Sequence, residues 1–207
     1  MDKTGHCGQN GEKLNAIIDT AQKRFGIYGL EKTTMREIAN DLNMSKGSLY
    51  YYFPDKEHLY KAVIEKEQCV FLNIIKEKIQ IIEDPRDLLR EYVKTRLHYF
   101  KLLLNLGQLR LEAFKGIKTI LGDIWLRFRE KEKEVLVTIF NKGIDAGIYK
   151  KLEPEKTAEL FLDLVKGLRE TVIIRKNLMY ISEEEYENLL EKVTDFTEIF
   201  INGITKY

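Results

Sequence analysis

The stretch from Thr33 to Lys56, TTMREIANDLNMSKGSLYYYFPDK, constrains this chain more than any other. Thr34 followed three residues later by Glu37 is a capping box, in which each side chain satisfies a free backbone N–H of the other at a helix start. Met35, Ile38, Ala39 and Leu42 then share one face at helical spacing. Asn43 and Met44 make a turn, asparagine being one of the few residues that tolerates the left-handed conformation such turns need. Ser45 caps a second helix of about two turns. Leu49 and Phe53 point inward from it at i, i+4, and a further helix opens at Asp55. Two short helices joined by a tight turn are a helix-turn-helix.

The outward face of the second helix is odd for a purely structural element. Gly47 in its first turn costs roughly 1 kcal/mol against alanine. Tyr50, Tyr51 and Tyr52 cannot all be buried on so short a helix; with Leu49 and Phe53 on the inner face, Tyr52 is assigned to the core and Tyr50 and Tyr51 to the outside. Lys46, Gly47, Ser48 and two tyrosine hydroxyls suit a helix laid in the DNA major groove, where lysine reads guanine, glycine permits close approach and tyrosine reaches phosphates or thymine methyls. Arg36, near the start of the preceding helix, is placed for a base or phosphate. Lys56 stands at the first position of the next helix, where the dipole disfavours a cation. A phosphate shared between its amine and the free N–H groups there would account for it.

Two patterns carry a likeness: F-x-x-x-G-x-x-x-T-T-x-R-x-I-A from Phe25 to Ala39, and S-K-G-S-L-Y-Y-Y-F-P-D-K from Ser45 to Lys56. Together they resemble the tetracycline-repressor (TetR) family of bacterial regulators over about residues 13–66, the family often having glycine where this chain has Asn43. Carried over position by position, the resemblance implies DNA contacts from Thr34, Arg36, Ser45, Lys46, Gly47, Ser48, Tyr50, Tyr51 and Lys56. Arg36, Lys46 and Gly47 would read bases, and the others would set register on the backbone.

Bulk charge does not announce a nucleic-acid partner: the formal net charge is +1. Within the motif Lys32, Arg36, Lys46 and Lys56 oppose Glu37, Asp41 and Asp55, again +1. DNA binding therefore rests on placement rather than on a basic patch. Cys7 and Cys69 do not make a disulfide framework, and Cys69 is expected as a small thiol on a helix. No apolar run reaches the roughly 18 residues that span a membrane, and the polar start is no signal peptide, so a cytoplasmic location is expected.

Residues 1–11 hold three glycines and no periodicity and are expected to be a disordered arm, in which His6 and Cys7 are too few ligands for a metal site. Helix one is predicted over 12–25, with Leu14, Ile17, Ile18, Ala21 and Phe25 inward, followed by a loop in which Gly29 takes a left-handed turn. A long helix is predicted from Asp55 to Glu83, burying Leu59, Val63, Val70, Phe71, Ile74 and Ile82, and broken by Asp84-Pro85. Further helices are predicted over 85–104, 105–116 (ended by Gly116), 117–147, 153–176 and 182–204, the last opened by a second capping box of Ser182 and Glu185. The charged run 127–134 reads as a solvated helix face.

The fold class expected is all-α: an N-terminal three-helix helix-turn-helix DNA-binding domain over 12–55, and a C-terminal helical ligand-binding and dimerisation domain over 56–207, linked by the long helix 56–83. The last two helices are apolar over too wide an arc for one-sided packing, which suits a four-helix bundle across a homodimer axis; the resemblance implies the same. It also implies a ligand pocket, for which His98, Tyr99, Phe100, Arg110, Phe114, Trp125, Phe128 and Phe161 are the candidate lining. Aromatic rings with one arginine suit a largely apolar effector with one acidic group.

No His-Glu-x-x-His, clustered Cys/His, Gly-rich phosphate loop or G-x-S-x-G occurs, so no catalytic residue, metal or cofactor is expected, and an enzyme is not. The expectation is a dimeric repressor that binds a palindromic operator in double-stranded DNA and is released by a small-molecule effector. The alternative is a ligand-independent DNA-binding architectural protein whose second domain docks a partner.

Overall fold

The computed structural model describes residues 11–107, 111–174 and 181–206, with side chains described outside 107–120 and 172–174. Among these the chain is helical: α1 (Glu12–Tyr28), α2 (Met35–Asp41), α3 (Lys46–Tyr52), α4 (Lys56–Ile81), α5 (Pro85–Gly107), α6 (Leu111–Asp145), α7 (Pro154–Ile174) and α8 (Glu183–Ile204). Residues 1–10 of the arm expected over 1–11, with His6 and Cys7, lie outside the described residues, and Gly11 stands at the start of α1.

The ends of the elements follow local chemistry. Thr34 accepts from the Glu37 amide at 3.3 Å while the Glu37 carboxylate takes the Thr34 amide at 2.8 Å, completing the capping box. Ser182 and Glu185 repeat it at the start of α8. Asp55 accepts from the His58 amide at 2.7 Å to open α4. α1 runs one turn further than expected, to Tyr28, and stops where Gly29 takes φ 81°.

α1 packs on α2, α4 and α5, and α2 on α3; α4, α5 and α6 contact one another, α6 also packs on α7, and α8 closes against α5 and α7. α4 is held at both ends by lysines, one from α6 and one its own. Lys142 on α6 donates to the carbonyls of Ile79 and Ile82 at 3.0 and 2.7 Å, satisfying groups a helix C-terminus leaves bare. At the other end Lys56 reaches back to the loop between α1 and α2. Gln22 on α1 donates to the buried Glu67 carboxylate on α4 at 2.5 Å, and burial pushes that carboxyl up.

Four expectations are corrected. Gly116 does not end a helix: α6 runs through it from Leu111 to Asp145, because one interior glycine costs only about 1 kcal/mol and its neighbours Glu112, Ala113, Lys115 and Lys118 are strong helix formers. Val70 and Ile74 are exposed, and α4 buries Ile64, Glu67, Gln68, Leu72 and Ile75 alongside Leu59, Val63 and Phe71. The run 127–134 is not wholly a solvated face, since Phe128 and Glu132, at i, i+4, are both buried. Cys69 is not a free thiol.

Candidate nucleic-acid interface and interior site

Asn43 takes φ 52°, the left-handed turn expected of it, and the Met44 amide closes the turn onto the Ala39 carbonyl at 2.9 Å. Ser45 then accepts from the Ser48 amide at 3.1 Å and starts α3. Leu49 and Phe53 anchor α3 against the buried Ile38 and Ala39 side of the module. α2 is fixed to α1 by a fork from Arg24, whose Nη2 donates to Asp41 Oδ1 at 2.8 Å and whose Nε donates to Asp41 Oδ2. The Arg24 hydrogen bond holds the Asp41 carboxyl below its usual range.

With the inner face spent, Thr34, Arg36, Ser45, Lys46, Gly47, Ser48, Tyr50 and Tyr51 all stand exposed. Tyr51 is 86% exposed and Tyr50 40%. Tyr52 turns inward, half-buried, edge-on to Tyr51 and under the Lys13 amine. Gly47 has no internal reason to be glycine: a Cβ there would meet only Ser45 Oγ, at 4.0 Å. Lys56 is brought to the module but is already engaged. Its amine donates to the carbonyls of Leu30 and Thr33 at 2.7 and 3.0 Å, so its cation is absorbed by the loop rather than offered outward.

The second site lies inside, between α4, α5, α6 and α7. Arg96 on α5 pairs with Glu132 on α6, both nearly free of solvent. Arg96 Nε donates to Glu132 Oε1, its Nη2 donates to Oε2 at 3.3 Å, and the Tyr92 hydroxyl donates to Oε1 at 2.9 Å. The Arg96 guanidinium lies 5.8, 5.5 and 5.4 Å from the ring centroids of Phe71, Tyr99 and Phe128, faces that suit a delocalised cation. Arg169 on α7 lies 5.0 Å from the Phe100 centroid, with its Nε buried and unpartnered. Burial, reinforced by Arg96, pushes the Arg169 guanidinium down to about 9.

Of the expected pocket residues, Tyr99, Phe100, Trp125 and Phe128 gather here, Trp125 edge-on to Phe128 at 6.3 Å. Phe161 does not: it packs with Phe140, Phe196 and Phe200 in a separate aromatic cluster between α6, α7 and α8. His98 is also corrected. It shares the exposed outer face of α5 with Lys94, one turn away, while Arg96, Leu97 and Tyr99 turn inward. Arg110 and the Phe114 side chain lie outside the described residues.

The family described as bacterial regulatory proteins, tetR family, matches residues 17–63, which hold the whole helix-turn-helix. A crystal structure of a transcriptional regulator from Cytophaga hutchinsonii superposes with TM-score 0.89 at 38% identity, over 95% of this chain and 100% of that one. The chain belongs to the TetR family. The HTH-type transcriptional regulator YhgD of Bacillus subtilis is 27% identical over 162 residues, 76% of this chain and 82% of that protein. A TetR transcription regulator from Haloarcula marismortui shares the fold at TM-score 0.72 and 17% identity, over 94% of this chain and 99% of that one. This TetR chain is thus a DNA-binding transcriptional regulator, with an N-terminal helix-turn-helix and a helical C-terminal region.

Two interior residues escaped sequence reasoning. Glu132 was hidden in a charged run, though its i, i+4 relation to Phe128 was the available signal. Arg169 was hidden because a single arginine on an amphipathic helix ordinarily reaches solvent. Among the described residues no group of three or more His, Cys, Asp or Glu could hold a metal ion, and no helix is long and apolar enough to cross a membrane.

Proposed function

We propose that this TetR-family regulator is a homodimeric repressor whose two α3 helices read a palindromic operator, and that a small, largely apolar effector bound among α4, α5, α6 and α7 releases it. The observation that carries the reading is the outward face of α3. Lys46, Gly47, Ser48, Tyr50 and Tyr51 are exposed while Leu49 and Phe53 hold the helix rigidly from behind. Gly47 in particular gives up helix propensity without any return inside the chain, which suits a partner approaching the backbone closely. Thr34, Arg36 and Ser45 flank that face and would set its register on the phosphates, with Arg36 and Lys46 reading bases. Lys56 is proposed as the tie that holds the α1–α2 loop, not as a phosphate contact, because its amine is occupied.

Dimerisation through α7 and α8 is supported by apolar side chains left facing outward: Leu160 and Leu164 on α7, one turn apart, and Ile199 on α8. A second copy covering them would build a four-helix bundle and set the two α3 helices about one DNA turn, ~34 Å, apart. Coupling to the effector requires only that it bind one arrangement of α4 better than the other. α4 reaches from the Lys56 tie to the interior site, and Gln22 joins it to α1 through Glu67.

The test is selection from randomised duplexes followed by binding of single variants. An inverted repeat is expected, and Lys46→Ala and Tyr51→Ala should each weaken binding by about 1–3 kcal/mol without changing the melting temperature or the dimer. Enrichment of no inverted repeat, or unchanged affinity in both variants, would overturn the reading.

A further inference from the structure

Among the described residues, Arg169 is a half-buried cation with no ion-pair partner. No carboxylate lies within ion-pair distance of it, and its Nε has no hydrogen-bond partner. Glu132 is near enough to act on it electrostatically, but both Glu132 oxygens are taken by Arg96 and Tyr92. Arg96 and Arg169 carry two positive charges here against Glu132, and the further buried carboxyl, Glu67, is pushed up by burial toward its neutral form. The other unpartnered buried atoms of this interior are the Tyr99 hydroxyl and the Gln68 Nε2. All three orphans can donate, and two can do nothing else. What is missing is an acceptor, and the surplus charge makes it an anion.

Resting on the effector reading above, we propose that the effector is an amphipathic carboxylate, its head group paired with Arg169 and its hydrocarbon body against Phe100, Trp125 and Phe128. A planar guanidinium fork takes a carboxylate through two parallel hydrogen bonds, which a lone hydroxyl cannot reproduce. Burial and the neighbouring Arg96 both disfavour the Arg169 charge, and a carboxylate would offset them. The rings account for the rest of the molecule: Phe100 and Trp125 are only half-buried here and have surface left to cover.

Trp125 is the chain's single tryptophan, so its emission reports on this site. The full chain is titrated with octanoate, dodecanoate and hexadecanoate and with the matching straight-chain alcohols. The best acid should bind about tenfold to a hundredfold more tightly than its alcohol, the range for hydrogen bonds to a charged group. Arg169→Met and Arg169→Gln should each abolish that preference, leave alcohol affinity within about threefold, and melt higher than the unsubstituted chain when no ligand is present. Arg169→Lys should keep part of the preference. Equal binding of acids and alcohols, binding of neither, or a preference that survives in both Arg169→Met and Arg169→Gln overturns the carboxylate. Operator release separates this from the effector reading. Alcohols that release the operator as well as the acids do sink the carboxylate alone, whereas acids that bind through Arg169 yet release nothing sink the effector mechanism.

Discussion

Gly47 in α3 and Gly143 in α6 are both glycines inside helices, and each gives up about 1 kcal/mol of helix propensity against alanine. The protein itself needs only one of them. A Cβ at Gly143 would stand 2.0 Å from Tyr149 Cδ2, because the Tyr149 ring folds back onto the helix and is fully buried there. A Cβ at Gly47 would reach nothing nearer than 4.0 Å. The cations divide the same way. Arg96 is enclosed by a carboxylate and three rings, while Arg36 and Lys46 stand in solvent. The interior of α4 to α7 is thus largely explained by its own contacts, apart from Arg169, the Tyr99 hydroxyl and Gln68 Nε2, whereas nothing inside the chain explains the outer face of α3.

Substitutions can break that contrast, and the largest effect is expected inside. Glu132→Ala strands the buried Arg96 charge and removes the acceptor of the Tyr92 hydroxyl, and should destabilise the chain by about 3–5 kcal/mol in urea unfolding. Replacing the pair together, Arg96→Met with Glu132→Leu, should recover most of that loss, since a packed apolar pair removes the desolvation penalty as well as the attraction. A double variant as unstable as the single one would show that the ion pair is not what matters there.

The two glycines give the next effect, and its sign should differ between them. Gly143→Ala forces the Tyr149 ring to move and should destabilise by about 1–3 kcal/mol. Gly47→Ala should stabilise by about 0.5–1 kcal/mol and yet weaken operator binding. Thermal unfolding and operator titration of the same two variants decide it; a Gly47→Ala chain that binds the operator as before would remove the close-approach argument.

The smallest effect is a pH slope. Burial raises the Glu67 carboxyl above its ordinary value, so the folded chain holds that proton more tightly than the unfolded one does. Its contribution is therefore fully present below the ordinary carboxylate range and is lost as pH rises through the raised value. Glu67→Gln keeps a partner for Gln22 and should flatten that part of the stability curve. An unchanged slope would mean that Glu67 is ionised at no unusual cost.

The parts legible in the sequence share one property. Thr34 with Glu37, Ser45 with Ser48, Asp55 with His58 and the inward pair Leu49 and Phe53 are three or four residues apart, so helix geometry alone brings them together. The left-handed turn at Asn43 and the stop at Gly29 depend on the residue itself. Gly116 misled because a glycine's propensity is a weak prior that a long packed helix overrides. Val70 and Ile74 misled because helical spacing allows more than one apolar stripe, and the neighbours α5 and α6 choose between them.

The sequence by itself therefore determined the helices, their caps, the turn between α2 and α3 and the residues that α3 turns outward, because each is fixed within one or two helical turns. Only the tertiary structure decided what the long charged side chains do. Lys56 reaches carbonyls 23 to 26 residues back, and Arg96 meets Glu132 across 36 residues. Arg169 lies half-buried, its Nε without a partner. A flexible charged side chain has many rotamers and no local partner preference, so its fate is set by whichever helix the packing brings beside it.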